Sequence, residues 1–231
     1  MRTLGLVPAR GGSSRVPRKN LARLGGKTLV RRALETALAS GCFATVALSS
    51  DDDEILAEAD GLPVVVLRRP AELATDSARS RDVVRHALAE LDEARRPFDA
   101  VAIVQCTSPF TSPEDVAATV ELLERTGAEA AFSVVRVEPA HHPLTLKRLE
   151  GDRLLPYLED DRLAPAQELP PLWVRNGSVY AFRRDVAEQG RDPQDVRGYE
   201  MPTERSFDID SPRDLALAEF LVERGGYSGR G

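Results

Sequence analysis

Cysteine is nearly absent from this chain. Cys42 and Cys106 stand far apart, outside any CxxC or metal-ligand spacing. They provide no disulfide framework, so a reducing cytoplasm is the expected compartment. Long apolar runs are missing too. None approaches the ~20 residues of a membrane span, and the first residues lack a signal peptide's apolar stretch. Excess positive charge is also absent: the formal net charge is -6 and the pI near 5.3. That balance argues against binding to nucleic acid or to anionic membranes. Histidine is limited to His86, His141 and His142. The last two are adjacent and face opposite ways on an extended segment. They make poor joint metal ligands and are read as packing or interface residues.

What the chain does have is alternation. Apolar runs at 3–9, 44–50, 63–67, 98–106 and 130–137 read as strands. Between them, spacings of three and four predict helices over 28–40, 52–59, 77–94 and 112–127. The last carries Ser112 as N-cap, Pro113 at the first helical position and Gly127 at its end. Such βαβα order implies an α/β fold with a mostly parallel central sheet and helices on both faces. The 231 residues suit a single domain, 1–231. Residues 138–172 are proline-rich and aperiodic, and read as an excursion of short strands and loops. The sheet resumes at 175–182. A short strand at "FDID" then runs into a C-terminal helix capped by Ser211, Pro212 and Asp214, and the tail beyond it is expected to fray.

One stretch concentrates positive charge. "LVPARGGSSRVPRKN", residues 6–20, holds Arg10, Arg15, Arg18 and Lys19 with no acid among them. Gly11 and Gly12 allow backbone N–H groups to approach phosphate oxygens. The alternative is a solvated, arginine-rich turn. Its place directly after the first strand favours the phosphate reading, because ligands of such sheets bind at strand carboxyl ends. "GGKT" at 25–28 imitates the end of a P-loop, but Leu21 stands where the motif needs glycine. No GxGxxG is present, which removes the dinucleotide reading.

"FDID" sets Asp208 and Asp210 two apart, on one face if the segment is extended. Paired carboxylates repel unless a cation sits beside them, and Mg²⁺ is the natural one. Two solvated acids, or an acid paired with an arginine, are the alternative. In "DDD" at 51–53, Asp52 and Asp53 are read as helix N-terminal acids and Asp51 as a possible cleft residue.

"VPARGGSSRVPRKN" resembles the signature of the sugar-acid cytidylyltransferases, above all the CMP-sialic acid synthetases. "RRPAELATDSARS", "VQCTSPF", "EPAHHPL", "RNGSVYAF" and "FDIDSPRDL" follow in the family's order, nearly end to end. The resemblance implies a Rossmann-like nucleotidyltransferase fold and transfer of CMP from CTP to an anionic acceptor, with release of pyrophosphate. It implies that Arg10, Lys19 and Asn20 hold phosphates, that Gly11, Gly12 and Ser13 belong to the same loop site, and that Arg15 supplies the charge missing at Ser14. Pro8 and Ala9 would line the cytosine pocket, with Ala78 and Ser80 near the ribose or base. Arg10, Arg15, Lys19 and Asp210 form the expected catalytic set, and Asp208 with Asp210 would hold Mg²⁺. Gln105, Thr107, Ser108, Lys147, Arg175, Asn176 and Tyr180 are the expected acceptor side. Gln105 equally suits a buried glutamine satisfying backbone groups, and Cys106 a small buried residue. The excursion would swap across a homodimer.

The acceptor half departs from the family. Thr145 and Ala166 stand where the family commonly has a lysine and an arginine, and "RDPQDVRGYEMP" lacks its aromatic pair. Lys147 would replace one charge if the excursion shifts by two residues. Arg79 has no explanation. The acceptor is therefore left between a small phosphonate, such as phosphonoformate, and a sialic-type nonulosonic acid. A nucleotide-binding module without catalysis, or an enzyme using another NTP, are the competing readings.

Overall fold

The computed structural model describes residues 1–13, 15–75, 78–91, 97–158 and 166–225. Expectations for Ser14, the end of the 77–94 helix, part of the excursion and the final tail fall outside those residues.

β1 (Thr3–Pro8) is buried along nearly its whole length, as a central strand covered on both faces must be. Leu4 and Leu6 pack on one face and Val7 on the other. Gly5 leaves room for Phe43, whose ring would lie 2.5 Å from an added Cβ. β2 (Arg23–Leu24) and β3 (Lys27–Thr28) form a small hairpin. Gly25 and Gly26 occupy its turn with φ of 58° and 83°. Two consecutive positive φ angles are what a two-residue hairpin loop requires. The "GGKT" resemblance to a P-loop is thus a turn sequence.

Thr28 caps α1 (Leu29–Ala39) by accepting from the Arg31 N–H. β4 (Thr45–Ser50) leads to α2 (Asp53–Ala57), capped by Asp52, and on to β5 (Val65–Arg68). Asp53, in the first turn of α2, pairs with Arg68. α3 (Ser80–Leu91), β6 (Ala100–Val104), α4 (Pro113–Thr126) and β7 (Ala130–Arg136) follow. The caps of α4 are those expected, with Gly127 at φ 64°. An outlying hairpin, β8 (Lys147–Glu150) with β9 (Arg153–Pro156), precedes the return strand β10 (Trp173–Arg183). α5 (Arg184–Gln189), β11 (Val196–Glu200) and α6 (Pro212–Glu223) complete the chain. Among the described residues no helix is long and apolar enough to cross a membrane.

The seven-stranded sheet has the order β11-β7-β10-β6-β1-β4-β5. Only β10 runs antiparallel to its neighbours. Leu29, Leu34, Ile55, Val116 and Ala218 fill the core on one face, and Val83, Leu88, Phe98 and Ala187 fill it on the other. The fold is the expected α/β architecture, a mostly parallel sheet flanked by helices.

Two sequence expectations need correction. "FDID" is not a strand: residues 206–210 form no ladder. The segment is instead tied to the strand ends at single points, as where the Ile209 N–H donates to the Thr107 carbonyl at 2.8 Å. Its alternation survives all the same. Phe207 and Ile209 pack inward, while Asp208 and Asp210 stay exposed. Secondly, α5 and β11 were not anticipated. α5 is short, and β11 is a largely exposed edge strand with little apolar signal.

Candidate active site

The carboxyl ends of β1, β5 and β6 open onto a cleft of about 550 Å³. The loop after β1 forms one wall with Pro8, Arg10, Gly12, Ser13, Arg15, Lys19 and Asn20. Its shape is set from beneath. Asn20 Nδ2 donates to the Arg10 carbonyl at 3.0 Å, and the Gly11 N–H donates to Asp51 Oδ1 at 3.0 Å. Asp51 is therefore a brace of the loop. An added Cβ at Gly11 would lie 2.7 Å from Asp52 Oδ2, so this close approach demands glycine. Ala9 is buried with its N–H on the Ser49 carbonyl, and Gly11 faces Asp52, so neither lines the cleft.

Arg18 departs from the expected phosphate-facing set. Its backbone is left-handed at φ 53°, and its side chain reaches Glu54 at 2.9 Å and Asp52 at 3.5 Å. The acidic start of α2 takes this charge, and Arg18 is not among the residues lining the cleft.

Arg69, Leu73, Thr75, Ala78, Ser80 and Val83 form the opposite wall. Arg69 was not picked out from the sequence. It is 6% exposed, donating to the Ser49 carbonyl at 2.7 Å and to Ser49 Oγ at 3.2 Å. Burial lowers its pKa from the usual arginine value, with Asp51 opposing. The adjacent Arg68 points the other way and pairs with Asp53. Strand alternation places one of two neighbouring arginines inside, but the sequence does not say which.

Gln105 and Thr107, just past β6, form the floor, and Asp210 closes the cleft. Asp210 meets Arg15 at 3.1 Å and Lys19 at 3.3 Å. Asp208 lies beside Thr107 and Gly177. It keeps solvent access on one side, yet desolvation by the protein packed around it raises its carboxyl above the ordinary range. The Thr107 hydroxyl opposes that shift and Asp210 adds to it. Among the described residues no group of three or more His, Cys, Asp or Glu is arranged to hold a metal. Two hard carboxylates fit Mg²⁺, which takes one or two of them and fills its shell with phosphates and water.

The expected acceptor residues are dispersed. Gln105 and Thr107 line the cleft, but Ser108 is 3% exposed beneath it. Tyr180 packs edge-on to Phe132 at 5.3 Å, and Arg175 lies 6.0 Å from the same ring. Burial raises the Tyr180 phenol, with Arg175 lowering it and Asp208 raising it further. Asn176 accepts from Ser133 Oγ at 2.7 Å and donates to Ser206 Oγ at 2.8 Å and to Met201 Sδ. Its amide supports the site from behind. Lys147 stands on the exposed β8, outside the lining of the cleft. Thr145 spends its hydroxyl on the carbonyls of His142 and Pro139 at 2.7 and 3.0 Å. Burial pushes the Cys106 thiol up to about 12, so it stays protonated and is no nucleophile.

The family model described as cytidylyltransferase matches residues 4–219. The chain belongs to the cytidylyltransferase family. Members of that family are nucleotidyltransferases that use CTP. N-acylneuraminate cytidylyltransferase A of Danio rerio is 34% identical over 97% of this chain and 52% of its own length. This chain thus spans about half of that relative. CMP-N,N'-diacetyllegionaminic acid synthase of Legionella pneumophila is 34% identical over 96% of this chain and 97% of its own length. Among solved structures, a CMP:2-keto-3-deoxy-manno-octonic acid synthetase complexed with CTP superposes with a TM-score of 0.73. It is 20% identical, covering 97% of this chain and 100% of that one. That likeness establishes the shared fold.

Proposed function

We propose that this protein transfers CMP from CTP to a small anionic acceptor and releases pyrophosphate. The observation that carries the reading is the meeting of Arg10, Arg15 and Lys19 from the first loop with Asp210 from the last, across one cleft. An acceptor oxygen attacks the α-phosphorus in line. The new P–O bond forms as the α–β bridging P–O bond breaks, and pyrophosphate takes the electron pair. Arg10, Arg15 and Lys19 stabilise the charge on the departing group. Pro8, Gly12, Ser13, Asn20, Ala78 and Ser80 shape the nucleotide wall. Asp208 and Asp210 would hold Mg²⁺, which supplies further neutralisation of phosphate charge when bound. An acceptor already ionised at the attacking oxygen needs no general base, whereas a hydroxyl acceptor gives up its proton to solvent water as the P–O bond forms.

The names of the relatives support a nonulosonic acid as acceptor. A specific observation favours a second reading, a compact phosphonate. Among the described residues no lysine or arginine from residue 138 onward lines the cleft, with Thr145 engaged locally and Lys147 outside the lining. Mass spectrometry of the product from CTP, Mg²⁺ and either N-acetylneuraminate or phosphonoformate separates them. Conversion of only one acid removes the other. CTP binding without turnover on any acid would demote the protein to a nucleotide-binding module, and a stronger thermal shift with another NTP would reassign the base.

A homodimer forms part of this reading. Leu149, Leu154, Tyr157, Trp173 and Val174 leave an apolar face exposed on and beside the hairpin β8–β9. A second copy covers such a face. A strict monomer by light scattering at working concentration would count against it.

A further inference from the structure

Asp115 is the third residue of α4 and has no solvent exposure. Its Oδ2 accepts from the Ser112 N–H at 2.9 Å, as the acid of a capping box. The same carboxylate also accepts both prongs of Arg205, Nε at 2.7 Å and Nη2 at 2.8 Å. The Tyr199 hydroxyl adds a fourth donor at 3.3 Å. A helix cap alone needs no such fork. Burial works to raise the Asp115 carboxyl, but Arg205 and Ser112 outweigh it and hold the acid below its ordinary range.

Arg205 lies three positions before Asp208 and five before Asp210. No ladder fixes residues 206–210. Their place depends on discrete ties, and two are adjacent. Arg205 grips α4, and Ser206 Oγ accepts from Asn176 while donating to the Pro202 carbonyl at 2.9 Å. α4 itself begins just beyond Thr107, so one buried carboxylate joins the floor of the cleft to its acidic strap. A buried ion pair is a weak source of net stability, and its planar, two-pronged geometry is what it adds.

We propose that Arg205, clamped on Asp115, is a positioning residue that sets Asp208 and Asp210 against the cation and phosphates. The proposal rests on the reading of those two aspartates as the metal site. Its test uses the full chain with Arg205→Gln, Arg205→Lys and Ser206→Ala. The readouts are kcat, KM for CTP, the Mg²⁺ concentration for half-maximal rate, and calorimetric Mg²⁺ affinity with a non-hydrolysable CTP analogue. Arg205→Gln is expected to weaken Mg²⁺ binding about tenfold or more, as loss of a ligand-orienting contact does. KM for CTP should move less than about threefold, and Arg205→Lys should recover part of the loss. Should Arg205→Gln fail to fold, Ser206→Ala carries the same expectation from the other tie. Lower melting temperature with unchanged Mg²⁺ affinity and kcat in the folded variants overturns the proposal. Parallel Asp208→Ala and Asp210→Ala variants separate the two ideas. If they abolish turnover while the Arg205 and Ser206 variants bind Mg²⁺ normally, only the clamp is wrong. If they turn over normally, the metal reading falls and the clamp with it.

Discussion

Lys19 donates from Nζ to the carbonyl of Ile209 at 2.6 Å, across 190 positions of sequence. The ammonium thereby fastens the basic loop to the acidic strap while its charge faces Asp210. Lys19→Met removes both functions. A charge-assisted hydrogen bond is worth roughly 1.5–3 kcal/mol, so kcat/KM for CTP should fall about 10- to 100-fold. Steady-state kinetics checks this, and a fall under threefold would take Lys19 out of phosphate binding.

Asp210→Ala should abolish turnover and leave the circular dichroism spectrum intact, because this side chain is exposed. CTP affinity should drop less than the rate, since an interaction made mainly in the transition state appears in kcat. Near-normal turnover would remove the aspartates from the mechanism.

Asp208 sets a pH dependence. Its raised value means that the native state keeps this proton longer than the unfolded chain does. Stability then falls as pH climbs from the ordinary value of 3.8 through the raised one, and the loss persists above it. Asp208→Asn cancels that loss. Its melting temperature should exceed that of the parent at pH 7, with the advantage shrinking toward pH 3, while turnover collapses. Thermal melts across that range decide it, and equal melting temperatures at pH 7 would contradict the assignment.

Gly11 and Gly12 differ in kind. Gly11→Ala forces a Cβ to within 2.7 Å of Asp52 Oδ2, whereas Gly12 has nothing within 4 Å. Overpacking of this sort costs typically about 1–3 kcal/mol. Gly11→Ala should therefore lower both melting temperature and CTP affinity. Gly12→Ala should leave the melting temperature unchanged. Equal stability of the two variants would show that Asp52 yields freely.

What the sequence made legible was local. Strand–helix alternation and the caps at Ser112 and Ser211 depend on neighbours a few residues away, and they stand as expected. The basic loop and "FDID" were visible as charge patterns. That they meet through Lys19 and Arg15 is a tertiary fact. "FDID" has a strand's alternation but no partner edge, which no local pattern reveals. Arg18 looked equivalent to Arg15 until its left-handed backbone turned it toward Glu54. Arg69 and Arg68 are indistinguishable as letters. The pairing of Asp115 with Arg205 spans 90 positions and has no local signal at all.

Within the seven-stranded sheet the antiparallel course of β10 has a consequence for how this scaffold can change. Because β10 returns beside β7, the Val137 N–H meets the Leu172 carbonyl at 2.8 Å, and Trp173 pairs with Arg136. The excursion carrying the β8–β9 hairpin is thus cinched at its neck, between Val137 and Leu172. Closing such a loop costs little more when it grows, since the entropy rises only with the logarithm of length. The neck acts as a socket: whatever is grafted there meets the same two strand ends, and the basic loop, built from the first 20 residues, is untouched by the exchange.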